Sequence, residues 1–264
     1  MSAAVSTPTS EAQPGPARRP LPLLVLGMSL ARRGVLPVAS IVICIITAVA
    51  MAVVAVMLAS KGPRSPAHDV PLLASSALAW GGGFLLAFSA SAHALRRDRT
   101  EGIRALFIAR TTSLRGYLLG RVGGLAALIA LVVAGGTLFC GLAAMGGASR
   151  AASVPRILQA TFAGMAFAVA FAAVVAPIAF AALGARSRLG GYVFLICVVS
   201  LPESVSDVLS IPSALGALRT SLAPGTLDLA RTARAIVALT LVVAFATFLV
   251  RRDALRIDEP GADP

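Results

Sequence analysis

Among 264 residues there is one lysine, Lys61, and there are only eleven acids. A P-loop needs a glycine-rich turn ending in Gly-Lys-Ser or Gly-Lys-Thr to cradle phosphate. Lys61 follows Ser60 and precedes Gly62, so this chain supplies no such loop. H-E-x-x-H and G-x-S-x-G are also missing, and the two histidines, His68 and His93, stand far apart. No catalytic constellation is legible, and the chain is not read as an enzyme. The three cysteines, Cys44, Cys140 and Cys197, each lie inside an apolar run. Without metal-ligand spacing they read as small buried hydrophobes. Aromatics make up only 5% of the chain. The net charge of +12 therefore does not argue for nucleic acid. The basic residues cluster beside apolar runs, where they act as orientation signals.

Charge is missing altogether from four stretches of 26 to 29 residues: 34–60, 70–95, 122–149 and 157–185. A bilayer core about 30 Å thick is crossed by roughly 20 apolar residues of helix at about 1.5 Å each. Each stretch is long enough. At 58% hydrophobic, the chain is outside the range of ordinary soluble domains. The expected fold is an all-α polytopic membrane protein with about six transmembrane helices. The spans are expected near 35–58, 71–94, 117–145, 157–182, 189–202 and 233–250. The fifth is the shortest, because only 14 uncharged residues separate Arg188 from Glu203.

With both termini in the cytoplasm, this layout places sixteen basic residues inside and seven outside. A five-span layout, with the fifth segment re-entrant, scores the same. It exchanges Arg251, Arg252 and Arg256 for Arg219, Arg231 and Arg234. The charge rule fixes the first four spans and leaves the fifth open. Residues 1–19, rich in Ser, Thr, Pro and Ala, are expected to form a disordered cytoplasmic tail. The apolar run Val35 to Leu58 is too long for the core of a cleavable signal and is expected to stay in the membrane. Residues 20–256 form the membrane domain, and 257–264 a second tail. Residues 20–33 end in Arg32 and Arg33 and suit a helix lying in the cytoplasmic interface; the other reading is an extension of span one. Between spans five and six, residues 203–229 mix Glu203, Asp207, Pro212 and Pro224 with apolar residues. Short helices dipping into the outer leaflet fit this pattern, as does an amphipathic surface hairpin. Glu203 and Asp207 lie one helical turn apart, as caps or as part of an exit path.

The segment from Arg96 to Arg121 holds seven arginines and two acids, a density that hydrocarbon does not accept. Ile103, Leu106 and Phe107 fall on one face of a helix, with Arg104 on the exposed face and Arg110 on the flank. Thr100 is placed to cap this helix, with Glu101 near its positive end. A short amphipathic helix thus leads into span three. Gly81–Gly83 in span two allow close helix approach. Gly116, Gly120 and Gly124 make two overlapping small-xxx-small repeats, within the protomer or between protomers. His93 reads as an interfacial histidine at the end of span two rather than a heme or metal ligand.

Residues 101–121, EGIRALFIARTTSLRGYLLGR, resemble a segment of the ABC-2 type permease subunits of ATP-binding-cassette transporters. That family carries a pattern like E-G-T-L-x-L-L-L-A-x-P-V-S-R followed by L-L-G-K. Glu101, Gly102, Leu106, Ala109, Ser113, Leu118, Leu119 and Gly120 match without a gap. Phe107 and Ile108 are apolar replacements, and Arg121 stands where the family often has lysine. Ile103, Arg104, Thr111, Thr112 and Leu114 depart from the pattern. The specific match covers 21 residues, and the order of interfacial helix, two spans, motif and four spans agrees more loosely.

The resemblance implies a coupling helix between spans two and three that docks into a separate ABC ATPase subunit. Glu101, Gly102, Ile103, Arg104, Leu106, Phe107 and Arg110 would form that partner-binding surface. ATP and Mg would sit on the partner, with no cofactor in this chain. It further implies a homodimer, or a heterodimer with a related permease, in a bacterial cytoplasmic (inner) membrane. Glu203 and Asp207 would belong to an outer re-entrant segment. The implied function is export. Other readings compete, among them a membrane anchor without transport. Trp80 followed by a span ending in RRDRTEG is similar to heme-exporter B-like subunits of cytochrome maturation. An ion-coupled secondary transporter is another, although such proteins usually keep an ionisable residue inside a span, and spans one to four hold no acid.

Overall fold

The computed structural model describes residues 21–61, 69–103, 105, 109, 113–147, 154–184, 210–223 and 228–256. Among these residues all regular structure is helical. Five helical segments are long and apolar enough to cross a bilayer: Val35–Ser60, Val70–Thr100, Leu114–Gly147, Val154–Leu183 and Leu229–Leu255. The chain is a multi-pass α-helical membrane protein, since only a helix satisfies its own backbone in hydrocarbon without a partner strand. These segments coincide with the expected spans one, two, three, four and six. The expected fifth span, with Glu203 and Asp207, lies outside the described residues.

Helix α1 is Leu21–Ala31 and α2 is Val35–Ser60. Gly34 separates them with φ of 115°, a conformation open to glycine at little cost. Leu21–Ala31 is therefore a helix of its own and not an extension of span one. Span two is built from α3 (Val70–Leu78), a π-helical turn (Ala79–Gly83) and α4 (Phe84–Ser91). Glycine disfavours regular α-helix, and the run Gly81–Gly83 accommodates the wider turn. The turn also brings span two onto span one, because a side chain on Gly82 would collide with Cys44 of α2. Trp80 projects from the turn onto Phe171, edge to face at 5.2 Å.

Helix α5 is Ala94–Thr100, α6 is Leu114–Gly147 and α7 is Val154–Leu183. They are followed by α8 (Ile211–Leu222) and α9 (Leu229–Arg256). At 34 residues α6 is about 51 Å long, so it extends beyond a 30 Å hydrocarbon core. Helix α7 is the central element, mostly buried, whereas α2 and α9 are largely exposed. Leu78, Leu86, Leu128, Val133, Phe167 and Phe171 form the middle of the core. Cys44 and Cys140 are free buried thiols packed among apolar side chains; Cys197 lies outside the described residues.

One end of the bundle is basic. There the His93 N–H donates to the Leu183 carbonyl (3.0 Å) and the Leu95 N–H to the Gly184 carbonyl (3.1 Å). These bonds tie the end of span two to the end of α7. Arg115 near the start of α6 and Arg251 near the end of α9 line a common cavity, so α9 finishes at this same end. At the opposite end Ala55, Val70, Ala144 and Ile157 pack together. The short helix α8 lies against the beginning of α9, where Ser221 and Thr232 share a hydrogen bond. Ser210 caps α8 by accepting from the Ser213 N–H (3.2 Å), and Asp228 caps α9 by accepting from the Arg231 N–H (3.1 Å).

Candidate functional site

The water-side elbow between spans two and three is held at its two feet. Span two breaks at His93, whose φ of 55° is left-handed, and continues as α5. This turn points Asp98 into the protein, where it is fully buried. Arg121, one turn beyond Tyr117 on α6, is buried beside it. Its Nε donates to Asp98 Oδ2 (2.6 Å) and its Nη2 to Oδ1 (2.9 Å). The Tyr117 hydroxyl donates to Oδ2 at 2.8 Å. A bidentate guanidinium on a carboxylate combines strength with fixed orientation. Around the three, Leu30 of α1, Leu95 and the Tyr117 ring form a small apolar cluster with Leu26, Ile103 and Leu118 packed on it.

This arrangement corrects the sequence reading in two places. Contrary to the expectation for the Arg96–Arg121 group, Asp98 and Arg121 do not lie in water; they satisfy one another inside the protein. Thr100 does not cap a following helix. It closes α5, its hydroxyl donating to the Arg97 carbonyl at 3.0 Å. The physical reason lies in Gly102, whose φ of 68° is the left-handed conformation that stops a helix. The Gly102 N–H returns to the Arg99 carbonyl at 3.1 Å. Glu101 and Gly102 are thus the C-terminal stop of α5, and helical backbone resumes at Ile103.

Glu101 and Gly102 are exposed, and Ile103 is half-buried against the apolar cluster. Glu101 lies 3.5 Å from Arg33, a weak exposed ion pair that links the elbow to the start of span one. Beyond Ile103, Ala105 and Ala109 have helical backbone, and both are exposed. Arg104, Leu106, Phe107 and Arg110 lie outside the described residues, as do Glu203 and Asp207. The small-residue repeat on α6 packs within the chain: side chains at Gly27 of α1 or Gly124 of α6 would each run into the other helix's backbone. This brings α1 against the base of the elbow.

Asp98, Tyr117 and the Gly27 crossing were not singled out from sequence as one site. The available signal was Asp98 itself, one of two acids in a strongly basic segment. No family model, curated protein or solved structure matches this chain.

Proposed function

We propose that this chain is the membrane-spanning permease subunit of an ABC-2 type transporter, working as an exporter with a separate ATPase subunit. The observation that carries this reading is the braced elbow. A short water-side segment is anchored through Asp98, Tyr117 and Arg121 to the end of span two and the start of span three. A push on residues 101–113 would reach both spans through buried bonds instead of dissipating in a loose loop. This geometry suits transmission of a partner's movement, with Glu101, Gly102, Ile103, Arg104, Leu106, Phe107 and Arg110 as the docking surface. ATP and Mg would be bound by the partner, and two permease chains, identical or related, would pair in the membrane.

We infer six spans with both termini cytoplasmic in a bacterial inner membrane; the orientation rests on the charge rule and the membrane on the resemblance, and the helix ends bear on the span count alone. Gly184 is at the basic end, whereas Asp228 begins α9 at the opposite one. The Arg115–Arg251 cavity argues against the reversed α9 of the five-span layout. A second reading, ion-coupled transport, draws on Asp98 as the one buried acid among the described residues. Its oxygens are engaged by Arg121 and Tyr117, which favours a bracing role.

The test is ATP hydrolysis by candidate ATPase subunits from the same genome, measured with and without this chain in lipid nanodiscs. The reading expects stimulation by the wild type and its loss in a Glu101→Arg, Phe107→Asp double variant. Ion-driven transport by the chain alone, abolished in Asp98→Asn, would favour the second reading instead.

A further inference from the structure

A groove of about 410 Å³ opens at the basic end between α6, α7 and α9. Leu118, Val122, Ala126, Pro177, Val243 and Val250 make it almost wholly apolar. Two charged side chains line it, Arg115 and Arg251, and both are exposed. Neither forms an ion pair with any described residue. They stand at one extremity of the groove, since Arg115 is its first residue along α6 and Arg251 its last along α9. From Arg115 to Ala126 the groove runs about 16 Å along α6, at 1.5 Å per residue. That is close to half of a hydrocarbon core about 30 Å thick. An apolar trough one leaflet deep, with two guanidinium groups at its water-side end that no described residue pairs, complements one kind of molecule.

We propose that this groove seats an anionic phospholipid of the leaflet at the basic end. Arg115 and Arg251 hold the phosphate, and one acyl chain lies against α6 and α9. Guanidinium suits this task because its planar donors match phosphate oxygens two at a time. The inference needs only the membrane location of the chain and does not depend on the permease reading.

The test uses the full chain in detergent micelles, titrated with phosphatidylglycerol or phosphatidylcholine of identical acyl chains and read by native mass spectrometry. Phosphatidylglycerol should bind at least tenfold more tightly. Arg115→Gln and Arg251→Gln should each weaken it roughly fivefold, the scale of one basic residue at an anionic membrane surface. Thr247→Trp, which fills the trough and leaves both arginines in place, should weaken it as well. An Arg231→Gln, Arg234→Gln pair at the opposite end should leave it unchanged. All variants are compared at matched unfolding midpoints, which separates lost binding from lost fold. Equal affinity for the two lipids would overturn the proposal. So would indifference to Thr247→Trp, which would mean charge attraction without a groove, or equal competition by glycerol phosphate alone, which would mean a free-phosphate site.

Discussion

Asp98 and Arg121 lie 23 residues apart in the chain, yet Arg121 Nε stands 2.6 Å from Asp98 Oδ2 with neither side chain exposed to solvent. The pair closes the elbow between spans two and three as a buried clasp. Removing one partner leaves an uncompensated charge in a dry site, at a cost of about 3–5 kcal/mol. Asp98→Ala and Arg121→Ala should each lose stability on that scale in denaturant titrations of the purified protein. The double variant Asp98→Leu, Arg121→Leu should recover most of the loss, because two apolar groups strand no charge. Additive losses in the double variant would contradict the clasp.

Tyr117→Phe removes one hydroxyl donor to the same carboxylate and keeps the ring packed. The expected loss is about 1.5–3 kcal/mol, the range for a hydrogen bond to a charged group. The same titration measures it. Arg33→Ala should cost under about 1 kcal/mol, since its pairing with Glu101 is solvent-exposed.

Gly124→Leu should drive α1 away from α6, because the added side chain would occupy the backbone of Gly27. A cysteine pair at positions 24 and 123, where the end of the Leu24 side chain reaches the space beside Gly123, in a chain whose own cysteines are replaced, should cross-link readily on oxidation. Leucine at 124 should reduce that cross-linking severalfold.

The arrangement of ends makes a topological prediction. Single cysteines at Arg115 and Arg251 should react with a membrane-impermeant maleimide from one side, and cysteine at Arg231 from the other. Labelling of positions 115 and 251 from opposite sides would require α9 to run the other way.

The spans were legible because one physical demand, enough apolar helix to cross hydrocarbon, is written directly into uninterrupted runs such as 122–149. The close approach at Gly81–Gly83 likewise follows from local residue chemistry, whereas the sequence left open whether residues 20–33 break from span one, which the backbone at Gly34 decides. Asp98–Arg121 was not legible, since nothing local tells a residue that its partner lies 23 positions away across a turn. Thr100 was misread for a related reason. A threonine before a helix and one ending a helix look alike, and the left-handed Gly102 decides between them. The opposite end shows the same limit: Asp228 as the cap of α9 depends on where that helix begins.

The central claim is that the braced elbow docks an ATPase. The most direct measurement co-expresses the tagged chain with candidate ATPase subunits from its genome and purifies it in detergent. Wild type should carry an ATPase through purification, and the Glu101→Arg, Phe107→Asp variant should lose it while retaining the wild-type unfolding midpoint. A wild type that retains no ATPase, or a variant that retains it fully, would contradict the account.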